Sequence, residues 1–260
     1  MPADNPIGRT QVARCVIDPA RADALCVALG MDPVAVGDPL PPFFHQIYFW
    51  DAQPAGALGR DGHPAVGGFI PDLGLPRRMW AGGEITVNAG FVAGVVAKKR
   101  SRIMDVTRKD GRTGPLAFVR VRHEIWQNDT LCVTEFQDLV YRAEADPNAP
   151  QPASVSAPAG GDSVAFSSTL LFRYSALTFN GHRIHYDTDY ARDVEGYGGL
   201  VVHGPLLAQL MMLRAMPFGT FRFRGASALI AGEDARIGQD GDRFWVAGGD
   251  GRLCMSGERG

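Results

Sequence analysis

Two short runs of this 260-residue chain combine residue types that can move a proton and stabilise negative charge. Residues 178–187 read Thr-Phe-Asn-Gly-His-Arg-Ile-His-Tyr-Asp, with His185 near the end, and residues 202–205 read Val-His-Gly-Pro at the start of an apolar segment. Histidine transfers protons near neutral pH, and unpaired amides at a helix N-terminus bind oxyanions. His185 and the Gly204 amide therefore suit a reaction in which a base removes a proton while charge builds on a carbonyl oxygen.

These runs resemble a known family. The aromatic-led stretch 173–187 is similar to the MaoC-like hydratase motif, which reads approximately Ser-Gly-Asp-x-Asn-Pro-(Ile/Leu)-His after an aromatic residue, and Val-His-Gly resembles the start of that family's central helix. Residues 178–185 are most similar to the hydroxyacyl-thioester dehydratase type 2 branch, which includes mesaconyl-C4-CoA and itaconyl-CoA hydratases. Pro-Pro-Phe-Phe-His at 41–45 and Pro-Arg-Arg-Met-Trp-Ala-Gly-Gly at 76–83 look like segments of the same branch, so the resemblance covers nearly the whole chain.

The resemblance implies a hydro-lyase that reversibly converts an enoyl thioester into a 3-hydroxyacyl thioester. It favours a short or branched dicarboxylyl-CoA substrate of the mesaconyl or itaconyl kind, with no metal and no organic cofactor beyond coenzyme A on the substrate. A 3-hydroxyacyl-carrier-protein dehydratase with the same chemistry stays open, as does a non-catalytic protein that only binds acyl thioesters. A hotdog thioesterase is disfavoured, because it needs a carboxylate at the central helix and residues 204–215 contain no Asp or Glu.

The chain departs from the general family at two positions. Asn180 stands where the family has an acid, and His182 stands where it has Asn. Because an amide cannot exchange protons, we expect His185 to be the main general acid and base, while Asn180 holds the attacking water. The Gly204 amide is the expected oxyanion donor, since glycine lets a carbonyl approach closely. Whether His182 or Asp187 adds a second proton-transfer group stays open.

Five residues are the candidates for contact with the substrate: Arg183, His182, Tyr174, His203 and Trp80. Arg183 could face a second substrate carboxylate, as a mesaconyl or itaconyl group requires, or it could meet phosphate or solvent. We expect His203 to position the entry to the apolar helix. Trp80 either lines a substrate tunnel or packs in the core. Each position therefore has an ordinary structural interpretation beside the functional one.

The apolar segment that starts at Gly204 determines the predicted architecture. It runs to Met216 and has almost no polar face, so a helix here must be enclosed on nearly every side. A curved antiparallel sheet wrapped around one helix encloses it, and two β-rich halves then predict an α+β double hotdog whose sheets pair edge to edge. The predicted units are residues 1–145 and 163–260, and a Pro-, Ala-, Ser- and Gly-rich linker spans residues 146–162.

Local patterns predict the remaining elements. Asp18 caps a helix that starts at Pro19 and stops at Gly30, and a second short helix spans Phe43 to Trp50. A long loop covers residues 56–76. The predicted strands are residues 9–17, 85–104, 116–126, 131–141, 164–175, 221–230, 243–247 and 253–256.

Composition limits the function classes. Apolar residues make up 45% of the chain and charged residues 21%, with a formal net charge of −2. This balance offers no electrostatic basis for binding nucleic acid or an anionic membrane surface. The N-terminus lacks the pattern of a signal peptide. We therefore expect a cytoplasmic protein whose partner is a small acyl-CoA. Two fused units can act alone or pair again as a homodimer.

Overall fold

The computed structural model describes residues 5–111, 114–144 and 154–260. Within these residues, ten antiparallel strands form one sheet in the order β1-β3-β4-β5-β2-β7-β10-β9-β8-β6. The strands are β1 (Thr10–Val16), β2 (Arg77–Val87), β3 (Val96–Gly111), β4 (Gly114–Gln127), β5 (Thr130–Arg142), β6 (Asp162–Val164), β7 (Thr220–Gly225), β8 (Ala235–Asp240), β9 (Arg243–Gly248) and β10 (Leu253–Arg259).

The sheet consists of two five-stranded parts whose strand orders mirror each other. The first part is β1-β3-β4-β5-β2 and the second is β7-β10-β9-β8-β6, so β2 and β7 form the joint. At this joint Ile85 lies opposite Phe221. The arrangement has the edge-to-edge pairing expected for two fused units. The predicted unit boundaries stay predictions, because residue 145 and residues 146–153 of the linker lie outside the described part of the chain.

The apolar segment forms helix α3 (Gly204–Ala215), as predicted. The helix packs against strands from both parts of the sheet, namely β2, β7, β9 and β10. Seven of its twelve residues are buried: Leu206, Leu207, Ala208, Gln209, Met211, Met212 and Ala215. A helix with so little polar surface is stable in water only when protein covers most of it, and the sheet provides that cover.

The N-terminal helix prediction is also confirmed. Helix α1 spans Pro19–Leu29. The Asp18 side chain accepts a hydrogen bond of 2.9 Å from the Ala20 amide, and Gly30 ends the helix in the left-handed conformation at φ 69°. Both ends therefore follow ordinary capping chemistry, in which a short polar side chain starts the helix and a glycine stops it.

The predicted strand at residues 164–175 is wrong. Only β6 is extended here, and helix α2 (Ser168–Thr178) follows it. The Ser167 hydroxyl accepts a hydrogen bond from the Leu170 amide at 3.2 Å, which caps the helix. Leu171, Tyr174 and Ser175 are buried at helical spacing. The many β-favouring side chains of this segment led to the strand prediction, whereas packing against α1 stabilises the helix.

Four further expectations need correction. The predicted strand at 85–104 is two strands, because the chain leaves the sheet between Val87 and Val96. The helix predicted from Phe43 to Trp50 is a single 3-10 turn at Phe44–Ile47. Strand β7 ends at Gly225, well before residue 230. Strand β8 was not predicted, since its residues Ala-Arg-Ile-Gly-Gln-Asp offer few apolar positions.

Among the described residues, no helix has both the length and the apolar character needed to cross a membrane.

The enclosure of α3 yields a stability prediction. Leu206 is fully buried, so Leu206→Ala removes apolar contacts and leaves a cavity. We expect the free energy of unfolding to fall by about 2–5 kcal/mol, measured by denaturant titration. Val12→Ala, at a residue 59% exposed on β1, is the control and should change that free energy by about 0.5 kcal/mol or less. Equal effects of the two variants would contradict the assigned core.

Candidate active site

The run 178–187, here called the motif loop, leaves the C-terminal end of α2. Phe179 ends the helix in the left-handed conformation at φ 52°, and the Asn180 amide donates to the Ser175 carbonyl at 2.9 Å. The Asn180 side-chain oxygen then accepts a hydrogen bond of 3.0 Å from the His182 amide. A 3-10 turn, Arg183–His185, completes the loop. These local bonds leave the Asn180 Nδ2 as the group that is available to a water molecule.

His185 is buried and held in one orientation. Its Nδ1 lies 2.7 Å from the Val201 carbonyl oxygen. Because a carbonyl only accepts, Nδ1 carries the proton and donates it, which leaves a lone pair on Nε2. Burial lowers the pKa of His185 to about 4, and the nearby His63 also lowers it, against the opposing effect of the Val201 carbonyl. At neutral pH the ring is therefore an uncharged base.

His203 supports the His185 ring from one side. The two rings stack with centroids 3.6 Å apart and planes inclined by 18°. The Ser175 hydroxyl lies 2.9 Å from the His203 Nε2, which ties α2 to the start of α3. The Tyr174 ring meets His203 edge-on at 5.0 Å. These contacts hold the His203 ring between α2, the start of α3 and His185, and its role as a positioning residue stays a prediction.

The first turn of α3 leaves one amide without an acceptor among the described residues. Leu206 and Leu207 both donate to the His203 carbonyl, and Pro205 has no N–H, so the Gly204 N–H stays unpaired. A Cβ at position 204 would lie 2.8 Å from Cε3 of Trp80, so only glycine fits beneath the indole ring. Trp80 therefore packs over the same helix N-terminus that presents the free amide.

One cavity of about 1770 Å³ contains these groups. It crosses the joint between the two parts of the sheet. Its lining includes six of the residues selected from the sequence: Trp80, Tyr174, Asn180, His182, His185 and Gly204. Hence the neutral imidazole and the unpaired amide open into the same space.

A turn from the N-terminal part packs against the motif loop. This docking turn, residues 59–64, touches the loop so closely that a Cβ on Gly62 would lie 2.0 Å from the Gly181 carbonyl oxygen. Gly62 also has a positive φ of 86°. In addition, the Arg183 amide donates to the Asp61 carbonyl at 2.8 Å. Glycine is required on both grounds, and the contact places two N-terminal side chains in the site.

Those two side chains, Asp61 and His63, extend the histidine cluster. The Asp61 carboxylate lies 3.2 Å from the His63 Nδ1, and the His63 and His182 rings are 4.5 Å apart. The His182 ring lies 5.4 Å from that of His185. Burial, then the neighbouring His63 and His185, keeps the pKa of His182 far below its ordinary value. Burial would raise the pKa of Asp61, but its hydrogen bonds with His63 lower it.

The same cluster has the spacing of a possible metal site. One ligand atom from each of Asp61, His63 and His182 lies within 4.8 Å of the others. Two imidazoles and a carboxylate are ligands that divalent transition metals accept. The residues of this cluster could therefore either hold a cation or form a hydrogen-bonded acid–base group.

Arg183 lies outside the cavity. Its guanidinium donates two hydrogen bonds to Asp187, at 3.0 and 2.7 Å, and a third to the Arg60 carbonyl at 3.2 Å. It also lies over the Tyr190 ring, 4.2 Å from the centroid. The side chain is 40% exposed. The structure therefore gives this arginine a surface role in holding the motif loop, and the side chain does not line the cavity.

Sequence reasoning missed four side chains that line the cavity or adjoin it: Asp61, His63, Arg78 and Tyr141. The first two belong to a loop with no periodic pattern, so nothing local connects them with residues 120 positions later. Arg78 did carry a signal, because it shares strand alternation with Trp80, which was selected. In the sequence, Tyr141 looks like an ordinary core residue, and only the structure shows that its buried hydroxyl has no hydrogen-bond partner.

Known proteins resemble this chain over most of its length. Residues 43–230 match the family described as hydroxyacyl-thioester dehydratase type 2. A mesaconyl-C(4)-CoA hydratase of Chloroflexus aurantiacus is 41% identical over 96% of this chain and 94% of its own length.

Two solved structures share the fold. HtdX of Mycobacterium tuberculosis gives a TM-score of 0.70 at 16% identity and covers 96% of this chain and 98% of its own. A second M. tuberculosis protein, described as a double hotdog, gives a TM-score of 0.58 at 13% identity and covers 98% and 96%. These matches confirm the double-hotdog prediction. With both sequence matches, they establish that the chain is a member of the hydroxyacyl-thioester dehydratase type 2 family.

Proposed function

We propose that this protein is a hydro-lyase that adds water to an enoyl-CoA and removes it again from the 3-hydroxyacyl-CoA. The observation that carries the proposal is the convergence of the His185 imidazole and the Gly204 N–H on one cavity. One group moves protons and the other stabilises the thioester oxygen, which are the two requirements of this chemistry.

In the hydration direction, His185 acts first as the base. The Asn180 amide holds a water molecule, and Nε2 of His185 takes a proton from it while the oxygen bonds to the β-carbon. The bond from Nδ1 to the Val201 carbonyl keeps the ring in the tautomer that this step needs. Its low pKa of about 4 leaves the ring uncharged at neutral pH and therefore ready to accept the proton.

The second half of the reaction returns that proton. As the β-carbon bond forms, electrons move through the α-carbon to the thioester oxygen, and the Gly204 N–H stabilises the enolate. The imidazolium at His185 is buried and lies close to other histidines, so it is a strong acid and gives its proton to the α-carbon. One ring thus serves both steps of a syn addition, and the water supplies both the hydroxyl group and the new C–H.

We infer a short dicarboxylyl-CoA as the substrate. The relative from Chloroflexus aurantiacus is named for mesaconyl-C(4)-CoA, and its alignment spans nearly the whole of both chains. A cytoplasmic location is part of the proposal, since an acyl-CoA substrate must be accessible to the enzyme. A homodimer is the proposed assembly, since two fused hotdog units can pair again.

Replacement of His185 tests the assignment of the base. His185→Gln and His185→Ala should lower kcat for enoyl-CoA hydration by on the order of a hundredfold or more, because both variants remove the imidazole that accepts and returns the proton. Loss of the enoyl absorbance measures turnover, and circular dichroism checks the fold. Arg222→Gln, which removes an exposed ion pair with Glu84 on the sheet surface, is the control and should retain activity. Unchanged turnover in His185→Gln would reject the assignment.

The depressed pKa of His185 predicts the pH profile. The base must be neutral, so kcat/KM should stay level as pH falls through 6.5 and should decline only near pH 4. Initial rates after brief exposure to each pH provide the measurement. An acid limb centred near 6.5 would contradict the prediction.

The same shift affects stability. The unfolded chain binds protons at His185 from about pH 6.5, whereas the folded chain does so only near pH 4, so the free energy of unfolding falls as pH drops between these values. Denaturant titrations at stepped pH test this direction.

Chelation tests the proposal that no resident metal takes part. Asp61 already pairs with His63, and the proton transfers above use only protein groups and water. Dialysis against EDTA should therefore leave kcat unchanged, and elemental analysis should find no stoichiometric metal. Lost activity that returns with Zn²⁺ would instead identify the cluster of Asp61, His63 and His182 as a metal centre.

A further inference from the structure

The first residues of β2 contribute two neighbouring arginines, Arg77 and Arg78, to the lining of the cavity. Arg77 forms an ion pair with Glu195, with Nε 2.6 Å from the carboxylate. Arg78, one residue later, shares a face of the strand with Trp80 because strand side chains alternate. Trp80 covers Gly204. Arg78 precedes Trp80 by two residues, and two residues of a strand span about 7 Å, so Arg78 lies about 7 Å from Trp80 along the same face.

Arg78 is a cation without a hydrogen-bonded partner among the described residues. The cavity lining contains three other arginines, Arg77, Arg142 and Arg252, and each has a partner. Charged groups that face a cavity are normally paired, since an unpaired charge in a partly buried site costs free energy. Among these four arginines, Arg78 is the one without a hydrogen-bonded partner in the described residues, and a ligand of negative charge would provide that partner.

Tyr141 supplies a second unpaired group beside Arg78. The two residues are directly opposite each other on β2 and β5. Tyr141 is only 2% exposed, lines the cavity, and has a hydroxyl with no hydrogen-bond partner in the described chain. A buried hydroxyl without a partner costs free energy unless a ligand or water bonds to it.

Electrostatic effects place Arg78 near the acid–base cluster. Its charge lowers the pKa of His63, of His182 and of the Tyr141 hydroxyl. Each of these effects is smaller than that of burial, which is the main cause of the shift at the two histidines. Arg78 also lines the cavity together with His63, His182 and Tyr141, so the guanidinium and these groups face one space.

We propose that Arg78 and Tyr141 form a carboxylate-binding subsite, which selects acyl thioesters that carry a second, free carboxylate. The subsite rests on the proposed hydro-lyase function and specifies its substrate class. With the thioester oxygen at Gly204, a four-carbon acyl chain extends along the β2 face, and its distal carboxylate reaches Arg78 and the Tyr141 hydroxyl. Charge-assisted hydrogen bonds of this kind give both affinity and orientation.

The phosphates of coenzyme A share this anionic chemistry. They are separated from the thioester by the whole pantetheine arm, whereas Arg78 lies opposite Tyr141 and two residues along β2 from Trp80, which covers Gly204. This position favours the acyl carboxylate as the bound anion. The subsite also replaces Arg183 as the predicted carboxylate contact, because Arg183 is paired with Asp187 outside the cavity.

Matched substrates test the subsite. Mesaconyl-C4-CoA carries the carboxylate, and 3-methylcrotonyl-CoA has a methyl group in its place. Arg78→Gln should lower kcat/KM for mesaconyl-C4-CoA by about tenfold to a hundredfold, and Tyr141→Phe by up to about tenfold. Both variants should change kcat/KM for 3-methylcrotonyl-CoA by less than about threefold. If 3-methylcrotonyl-CoA turns over too slowly, its inhibition constant, measured with mesaconyl-C4-CoA as the substrate, replaces kcat/KM in the comparison of wild type and variants.

Two controls separate the alternatives. Arg120→Gln, in an exposed pair with Asp138, should leave both substrates unaffected. Mesaconyl-C4-pantetheine lacks the nucleotide phosphates and should show the same loss with Arg78→Gln. An equal loss for both CoA substrates, or a loss absent with the pantetheine thioester, would overturn the carboxylate subsite. Selectivity lost in Arg183→Gln and retained in Arg78→Gln would also overturn it. If the wild type hydrates neither CoA ester, the proposed function itself fails.

Discussion

The site depends on the buried N-terminus of α3. Enclosing this apolar helix stabilises the core and brings its first turn into the centre of the molecule, away from bulk water. One peptide N–H, at Gly204, has no acceptor among the described residues, which is an unfavourable state for a donor that is partly shielded from water. The cost is acceptable where a substrate oxygen later accepts from that donor. The same turn carries His203, whose ring supports His185, so helix burial positions both reacting groups.

The two parts of the chain build the site together. Helix α2 and the motif loop come from the C-terminal part, while Trp80 and the docking turn come from the N-terminal part. Gly62 and Gly181 let the two loops approach at backbone distance. The contact brings the His63 ring to within 4.5 Å of the His182 ring, and the Asp61 carboxylate lies 3.2 Å from His63 within the docking turn itself. A fused pair of hotdog units thereby supplies an acidic group beside a motif loop that has an amide, Asn180, and not a carboxylate at that position.

Burial determines the charge state of the whole cluster. It lowers the pKa of His63, His182, His185 and His203, so these rings are neutral at the pH at which a base is needed. Three of these rings, those of His63, His182 and His185, line the cavity, so its positive charge comes from arginines and Lys99. Arg78, opposite Tyr141 on the neighbouring strand, is then placed to bind an anion at one position, whereas a protonated histidine cluster would attract anions without positional selectivity.

The sequence by itself determined the family and the enclosed helix, and it selected the proposed reacting pair, His185 and Gly204. These depend on local signals: an apolar run with no polar face, a capping residue before Pro19, and a His-containing run beside a Val-His-Gly segment. Only the tertiary structure decided what surrounds that pair. Asp61 and His63 reach it through a loop contact more than 100 residues away in the chain, and Arg78 meets Tyr141 through strand register. Helix α2 was misread for the same reason, since long-range packing outweighed the β-favouring residues of its own segment. Local patterns specify periodicity and end caps, whereas distances between remote side chains depend on the packing of the entire sheet.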